Sequence, residues 1–86
     1  MEIRSKKALS GGTWIIGKED HDGAEFKFEA LVFETPSQYG IENGKISKLF
    51  ITLAGETLVW YDRGWEQHPT EEVLPIYEGL LEAYNS

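Results

Sequence analysis

The spacing of apolar residues along this chain changes once, and the change limits which secondary structures can form. From residue 24 onward, Phe26, Phe28 and Ala30 alternate with charged residues, and a period of two is typical of a half-buried β-strand. Toward the carboxyl end the period lengthens to that of one face of an α-helix. This helical stripe consists of Val73, Tyr77, Leu80, Leu81 and Tyr84. The pattern therefore predicts strands first and a single helix last.

The alternation predicts four strands, separated by turn signals such as Asp22-Gly23 and Asn43-Gly44. Short turns between successive strands favour antiparallel pairing. The predicted fold is therefore α+β, an antiparallel four-stranded β-meander with one carboxy-terminal α-helix packed on one face. The predicted strands cover residues 13–18, 24–34, 45–53 and 57–63.

At 86 residues the chain is predicted to form a single domain, 1–86, in which residues 1–11 are a flexible or edge segment. Thr70 is the expected N-cap of the helix. Pro75 lies early in the helix, where it is expected to remove one backbone hydrogen bond and bend the first turn.

One helix covers only one face of such a sheet. The other face is expected to expose Phe50, one of Trp14 and Trp60, and part of Leu31 and Phe33, and an apolar patch of this size marks an interface. We therefore expect a homo-oligomer, most simply a two-fold dimer. The alternative is a monomer in which residues 1 to 10 fold over the open face.

Charge and cysteine content exclude several classes of function. The net charge is −7 and no Lys or Arg follows Arg63, so direct nucleic-acid binding is not expected. The absence of cysteine excludes disulfides, thiolate zinc sites and a cysteine nucleophile. No signal-peptide run and no stretch of 18 apolar residues is present. We therefore expect a cytoplasmic protein without a membrane partner.

No sequence motif indicates catalysis. His68 and Glu66 could form an acid–base pair, but no nucleophile elbow or comparable arrangement accompanies them. A phosphate-binding loop is absent, and the polar loop around His21 is typical of a solvated turn. We therefore expect no enzymatic activity, no cofactor and no metal site.

A ligand site is predicted where aromatic and basic residues concentrate. The segment from Trp60 to Trp65 holds two Trp, one Tyr, an Asp and an Arg, and the start of the third predicted strand, beside the end of the fourth, carries two lysines. Arg63 offers a planar fork to a phosphate, and aromatic rings stack on bases. The alternative is that Arg63 pairs with Asp62 while Trp65 fills the core. The candidate ligand-binding residues are Tyr39, Lys45, Lys48, Arg63 and Trp65.

Two blocks of sequence resemble a family of short uncharacterised proteins from phages, prophages and bacteria, mostly Firmicutes. One is Tyr39-Gly40-Ile41-x-Asn43-Gly44-x-Ile46-Ser47-Lys48-Leu49, and the other is Tyr61-Asp62-Arg63-Gly64-Trp65. The resemblance extends from about residue 13 to about residue 84 and brings no catalytic residues, because the family is a domain of unknown function.

The phage context implied by this resemblance favours an inhibitor of a host defence pathway. In the first hypothesis a non-enzymatic binding protein, oligomeric in the host cell cytoplasm, sequesters a nucleotide-type signalling ligand. In the alternative it is a protein–protein inhibitor that occludes a host defence or regulatory protein through an acidic and aromatic surface.

Overall fold

A computed structural model describes residues 1–86 as one antiparallel sheet with a short helix at its carboxyl end. The six strands pair in chain order, and two single 3₁₀ turns, Ile41–Asn43 and Glu71–Val73, lie in the connections. The helix, α1, spans Leu74–Tyr84. The strands are β1 (Glu2–Leu9), β2 (Gly12–His21), β3 (Ala24–Phe33), β4 (Ile46–Leu53), β5 (Glu56–Asp62) and β6 (Trp65–Gln67).

The prediction of a four-stranded meander is wrong, because the sheet has six strands. The first strand that the prediction omits, β1, lies at the edge and pairs only with β2. Seven of its eight residues are exposed, so its apolar residues show no alternation. The second, β6, has three residues, too few to show a period.

The helix covers one face of the sheet, and this covered face contains the core. A cross-strand row of the covered face runs from Ile15 through Ala30, Leu49 and Tyr61 to Trp65. Three buried residues of the helix and the turn before it complete this core: Val73, Ile76 and Leu80. Ile76 was not part of the predicted helical stripe. Neighbouring residues on a strand point to opposite faces of the sheet. The residues that alternate with those of the covered face therefore direct their side chains to the other face, which the helix leaves uncovered and which we call the open face.

The predicted loss of a backbone hydrogen bond at the proline does not occur. Pro75 falls in the first turn of the helix, where a backbone N–H has no helical partner, so the proline removes no hydrogen bond. Thr70 precedes the 3₁₀ turn rather than the helix, and its side chain makes no capping hydrogen bond. Its carbonyl instead accepts from the N–H of Val73 at 3.2 Å.

Candidate functional site

The structure brings Tyr39 and Arg63 together at one end of the sheet. The Arg63 guanidinium carbon lies 6.0 Å from the centre of the Tyr39 ring, within reach of a cation–π interaction. The backbone N–H of Arg63 donates to the carbonyl of Ser47 at 2.8 Å, and the Tyr61 hydroxyl donates to the carbonyl of Tyr39 at 2.8 Å. These contacts fix a corner where the loop before β4 meets the end of β5.

The two lysines predicted for this site lie elsewhere. Lys48 stands on the open face, with its Nζ 3.7 Å from a carboxylate oxygen of Asp62. Asp62 therefore pairs with Lys48 and not with Arg63. Lys45 lines a shallow cavity of about 380 Å³ together with Lys6 and Tyr84. The side chains of the two lysines thus do not join the Tyr39–Arg63 corner.

The Trp65 ring packs against the core from the covered face. Its ring centre lies 5.0 Å from that of Tyr61, 4.6 Å from that of His68 and 5.8 Å from that of Tyr77. The position agrees with the alternative in which Trp65 fills the core. With three rings around it, Trp65 offers less surface for stacking a ligand than an exposed ring would.

Burial also changes the acidity of the two tyrosines beside Trp65. It raises the pKa of Tyr61. The pKa of Tyr77 is raised to about 12 by burial first, and then by the nearby Glu42 carboxylate and by Tyr61. Both hydroxyls are therefore neutral at physiological pH, and that of Tyr61 donates the hydrogen bond to Tyr39.

The backbone of the loop before β4 explains much of its sequence. Glu42 and Asn43 adopt left-handed conformations with φ of 52° and 58°, which Asn tolerates better than most residues. Gly40 and Gly44 approach so closely that a Cβ on Gly40 would lie 1.9 Å from the carbonyl oxygen of Gly44. Gly40, Asn43 and Gly44, which belong to the sequence block from Tyr39 to Leu49, thus have a structural role in this loop.

A groove on the open face was not predicted from the sequence. It has a volume of about 390 Å³ and apolar walls that include Ile16 and Phe50. Three basic side chains and two carboxylates also line it: Arg4, Lys18, Lys27, Glu25 and Glu29. Phe50 is in turn stacked on Trp60, with ring centres 6.0 Å apart. The groove therefore combines positive charge with an aromatic wall.

Like charges face each other in this groove. Lys18 and Lys27 are direct cross-strand neighbours in the β2–β3 hairpin, and like charges in such positions are destabilising. Lys18 makes an ion pair with Glu25 at 3.3 Å, while Lys27 and Glu29 make no ion pair. Lys27 is therefore an uncompensated cation at the rim of the groove.

The sequence did contain a signal for this pair. An Asp22-Gly23 turn sets the register of the hairpin so that Lys18 and Lys27 face each other, a consequence of counting outward from the turn. No sequence signal placed Arg4 at the groove, because its position there depends on the pairing of β1 with β2, which was not predicted.

Comparison with protein families gives one match. The model of a family described as a domain of unknown function (DUF7678) matches residues 13–85. The chain belongs to this family. Comparisons with curated proteins and with solved structures give no significant match. The DUF7678 match begins within β2, so β1 and the groove residue Arg4 lie outside it. In the structure, no helix has the length and apolar character needed to cross a membrane.

Proposed function

We propose that this protein is a non-enzymatic binding protein that holds an anionic, nucleotide-type ligand in the groove of the open face. The observation that carries the proposal is the pair of lysines, Lys18 and Lys27, facing each other across two strands beside Arg4. A bound phosphate relieves the repulsion between the two lysines and meets Lys27 as an unpaired cation, while Arg4 and Lys18 also hold ion pairs with Glu2 at 3.4 Å and Glu25 at 3.3 Å.

The distribution of charge over the surface supports this site. Five of the eight basic and five of the fifteen acidic side chains lie on the open face, so that this face is neutral while the remaining surface carries the whole charge of −7. An anion is therefore repelled least where the groove lies. The basic residues of the open face are Arg4, Lys7, Lys18, Lys27 and Lys48.

The size and lining of the groove suit a nucleotide. Its volume of about 390 Å³ falls within the range of about 300–1,000 Å³ typical of small-molecule sites. Phe50 supplies an aromatic wall, and stacking of a base on such a ring contributes about 1–3 kcal/mol. A phosphate alone would use the cations but not this wall, so a ligand with both a phosphate and a base fits best.

The biological role we propose is sequestration of a signalling nucleotide in the cytoplasm of a host cell. Its support is the resemblance to phage, prophage and Firmicutes proteins, because small acidic phage proteins without catalytic motifs often counter host defence. Binding without turnover is sufficient for such a role.

Thermal unfolding with a panel of cyclic dinucleotides, cyclic trinucleotides and ADP-ribose derivatives tests the proposal. A ligand at one hundred times its dissociation constant is expected to raise the melting temperature of a domain this small by roughly 10–20 °C. The ligand should then be recovered unchanged after the protein is denatured. A converted ligand would instead show an enzyme.

Charge reversal locates the site. We expect Lys27→Glu to abolish the thermal shift, whereas Lys45→Glu, the matched control outside the groove, should retain it. Both lysines make no ion pair, so neither variant is expected to lose much stability. If Arg63→Ala removes binding and Lys27→Glu does not, the ligand binds at the Tyr39–Arg63 corner.

A second candidate function, inhibition of a host protein, is favoured by the carboxylates around the helix. Glu71, Glu78 and Glu82 are exposed and make no ion pair, so they are free to meet a basic partner. Replacing all three by Lys should leave folding nearly intact. If these carboxylates contact a host protein, the change should abolish capture of that protein. If the groove is the functional site, the change should leave ligand-induced thermal shifts unaltered.

A further inference from the structure

We infer that the apolar part of the open face is an interface between two copies of this chain. We call it the apolar patch. Trp14 beside Leu31 and Phe50 beside Trp60 are cross-strand neighbours there. Ile16 lies two positions from Trp14 on β2, and Glu29 on β3 stands between Ile16 and Phe50. Trp60 is 40% exposed and the others are half-buried.

No described segment of the chain covers this patch. Residues 2 to 9 form the edge strand β1 in the plane of the sheet, which contradicts the alternative in which they fold over the open face. The helix packs on the opposite face. Trp and Phe are the residues most enriched at the centres of protein interfaces, and here they remain accessible on one surface.

The charges around the patch suit a second copy better than a charged partner. Lys48, the cross-strand neighbour of Leu31, forms an ion pair with Asp62. Lys7 and Glu29 make no ion pair, but their charges cancel, so the net charge of the patch region is zero. The rest of the surface carries the net charge of −7, so two copies repel each other least when they meet through this face. A strongly basic or acidic partner would find no complementary excess of charge here.

The edge strands of the sheet are not suited to association by strand pairing, which is the alternative to face-to-face packing. An unprotected edge strand would pair with another chain, but β1 carries Arg4, Lys6 and Lys7 and contains a register shift between Ile3 and Ser5. Charged side chains and bulges protect edges from such pairing. The opposite edge, β6, has only three residues. Two copies are therefore expected to meet face to face, with a two-fold axis between them.

The area of the face limits how tightly two copies can bind. Five strands about 4.8 Å apart, each about seven residues long at about 3.4 Å per residue, have a plan area of roughly 570 Å² before side-chain relief is counted. Stable interfaces bury about 800 Å² per partner, so a dimer that meets on the patch is expected to be weak and to form only as concentration rises through the micromolar range. The groove lies toward the β2–β3 turn and the patch toward the other end of the same strands, with Ile16 and Phe50 shared. A second copy on the patch thus borders the groove and leaves its basic rim open.

Sedimentation equilibrium of the full chain, from low to high micromolar concentration, tests the inference. We expect twice the 9.8 kDa mass of one chain, with Trp fluorescence shifting to longer wavelength on dilution as Trp14 and Trp60 become solvated. Trp60→Ser is expected to raise the dimer dissociation constant about tenfold or more, since aromatic anchors dominate interfaces. Tyr39→Ser is the matched control, because Tyr39 is 52% exposed but lies off the patch, and it should remain dimeric.

A mass of one chain at every concentration would overturn the inference, as would a dimer that persists in both Trp60→Ser and Leu31→Lys. Circular dichroism of each variant shows whether it is folded. The mass measurement uses no ligand, so its outcome is independent of the proposed nucleotide binding. Lys27→Glu should lose the ligand and keep the dimer.

Discussion

The side chain of Asn85 connects the end of the helix to the first residue of β4. Its Oδ1 accepts a hydrogen bond from the backbone N–H of Ile46 at 2.9 Å, and its Nδ2 donates to the carbonyl of Ile41 at 2.9 Å. The Asn85 carbonyl also accepts from the N–H of Lys45 at 3.2 Å. One residue thus binds the loop before β4 at three points, although 39 positions of sequence separate it from Ile46.

We predict that Asn85→Ala lowers the free energy of unfolding by about 1–3 kcal/mol. The substitution leaves the N–H of Ile46 and the carbonyl of Ile41 without their partner in a partly buried site, and each unsatisfied group carries a desolvation cost. Urea unfolding followed by circular dichroism measures the change. Ser86→Ala, at an exposed neighbouring position, should alter stability by no more than about 0.5 kcal/mol. Equal effects of the two substitutions would contradict a role for the carboxamide.

We predict that Gly40→Ala costs more than about 3 kcal/mol or prevents folding. The added Cβ would lie 1.9 Å from the carbonyl oxygen of Gly44, and a backbone atom in a packed loop moves only with its neighbours. Gly64→Ala is the control, because a Cβ there meets no atom within 4 Å. Its unfolding midpoint should lie close to that of the parent protein. A stable Gly40→Ala variant would show that this loop rearranges.

The central part of the fold follows from the sequence. The four predicted strands and the helical stripe that begins at Val73 agree with β2 to β5 and α1 to within a few residues, since a half-buried strand or helix must repeat its apolar residues at its own period. The strand β1 shows no such periodic pattern. Its residues are exposed to solvent at the edge of the sheet, where packing does not constrain which side chains are apolar.

The candidate site was predictable only where it depends on strand order. Successive antiparallel strands bring the loop before β4 and the end of β5 to the same end of the sheet, and Tyr39 and Arg63 do meet there. Where the two lysines lie was not predictable in the same way. Lys45 precedes β4, and the strand has a register shift between Ile46 and Lys48, so strand alternation does not relate their positions. The groove includes Arg4 of β1, and because β1 was not predicted as a strand, the groove was not predicted either.

We predict that Ser47→Ala raises the free energy of unfolding by about 1 kcal/mol. Ser47 is 1% exposed and its Oγ has no hydrogen-bond partner, so the hydroxyl is desolvated without compensation. Its carbonyl, which accepts from Arg63, is unaffected by the substitution. Ser37→Ala, in which the lost hydroxyl accepts from the N–H of Tyr39 at 3.2 Å, should instead lower stability slightly. A loss of stability in Ser47→Ala would show that a buried water satisfies the hydroxyl.

We predict that Tyr77 makes the folded state less stable at alkaline pH. Its pKa is raised to about 12 in the folded chain, above the value of about 10 for an unfolded tyrosine. The unfolded state therefore releases the proton first, so the contribution of Tyr77 is complete below pH 10 and is lost as pH rises through 12. The urea concentration at the unfolding midpoint should therefore be lower above pH 10 than below it.

Tyr77→Phe separates this effect from general alkaline unfolding. The Tyr77 hydroxyl makes no hydrogen bond, so the substitution should cost little at neutral pH, and the alkaline fall in midpoint should become shallower. Part of the fall should remain, because burial also raises the pKa of Tyr61. Tyr39→Phe, which changes an exposed ring, should keep the full fall of the parent protein. If Tyr77→Phe and the parent protein lose stability equally between pH 10 and 12, then the Tyr77 hydroxyl ionises as readily in the folded chain as in the unfolded one, and the ring is not desolvated against Trp65 as the structure has it.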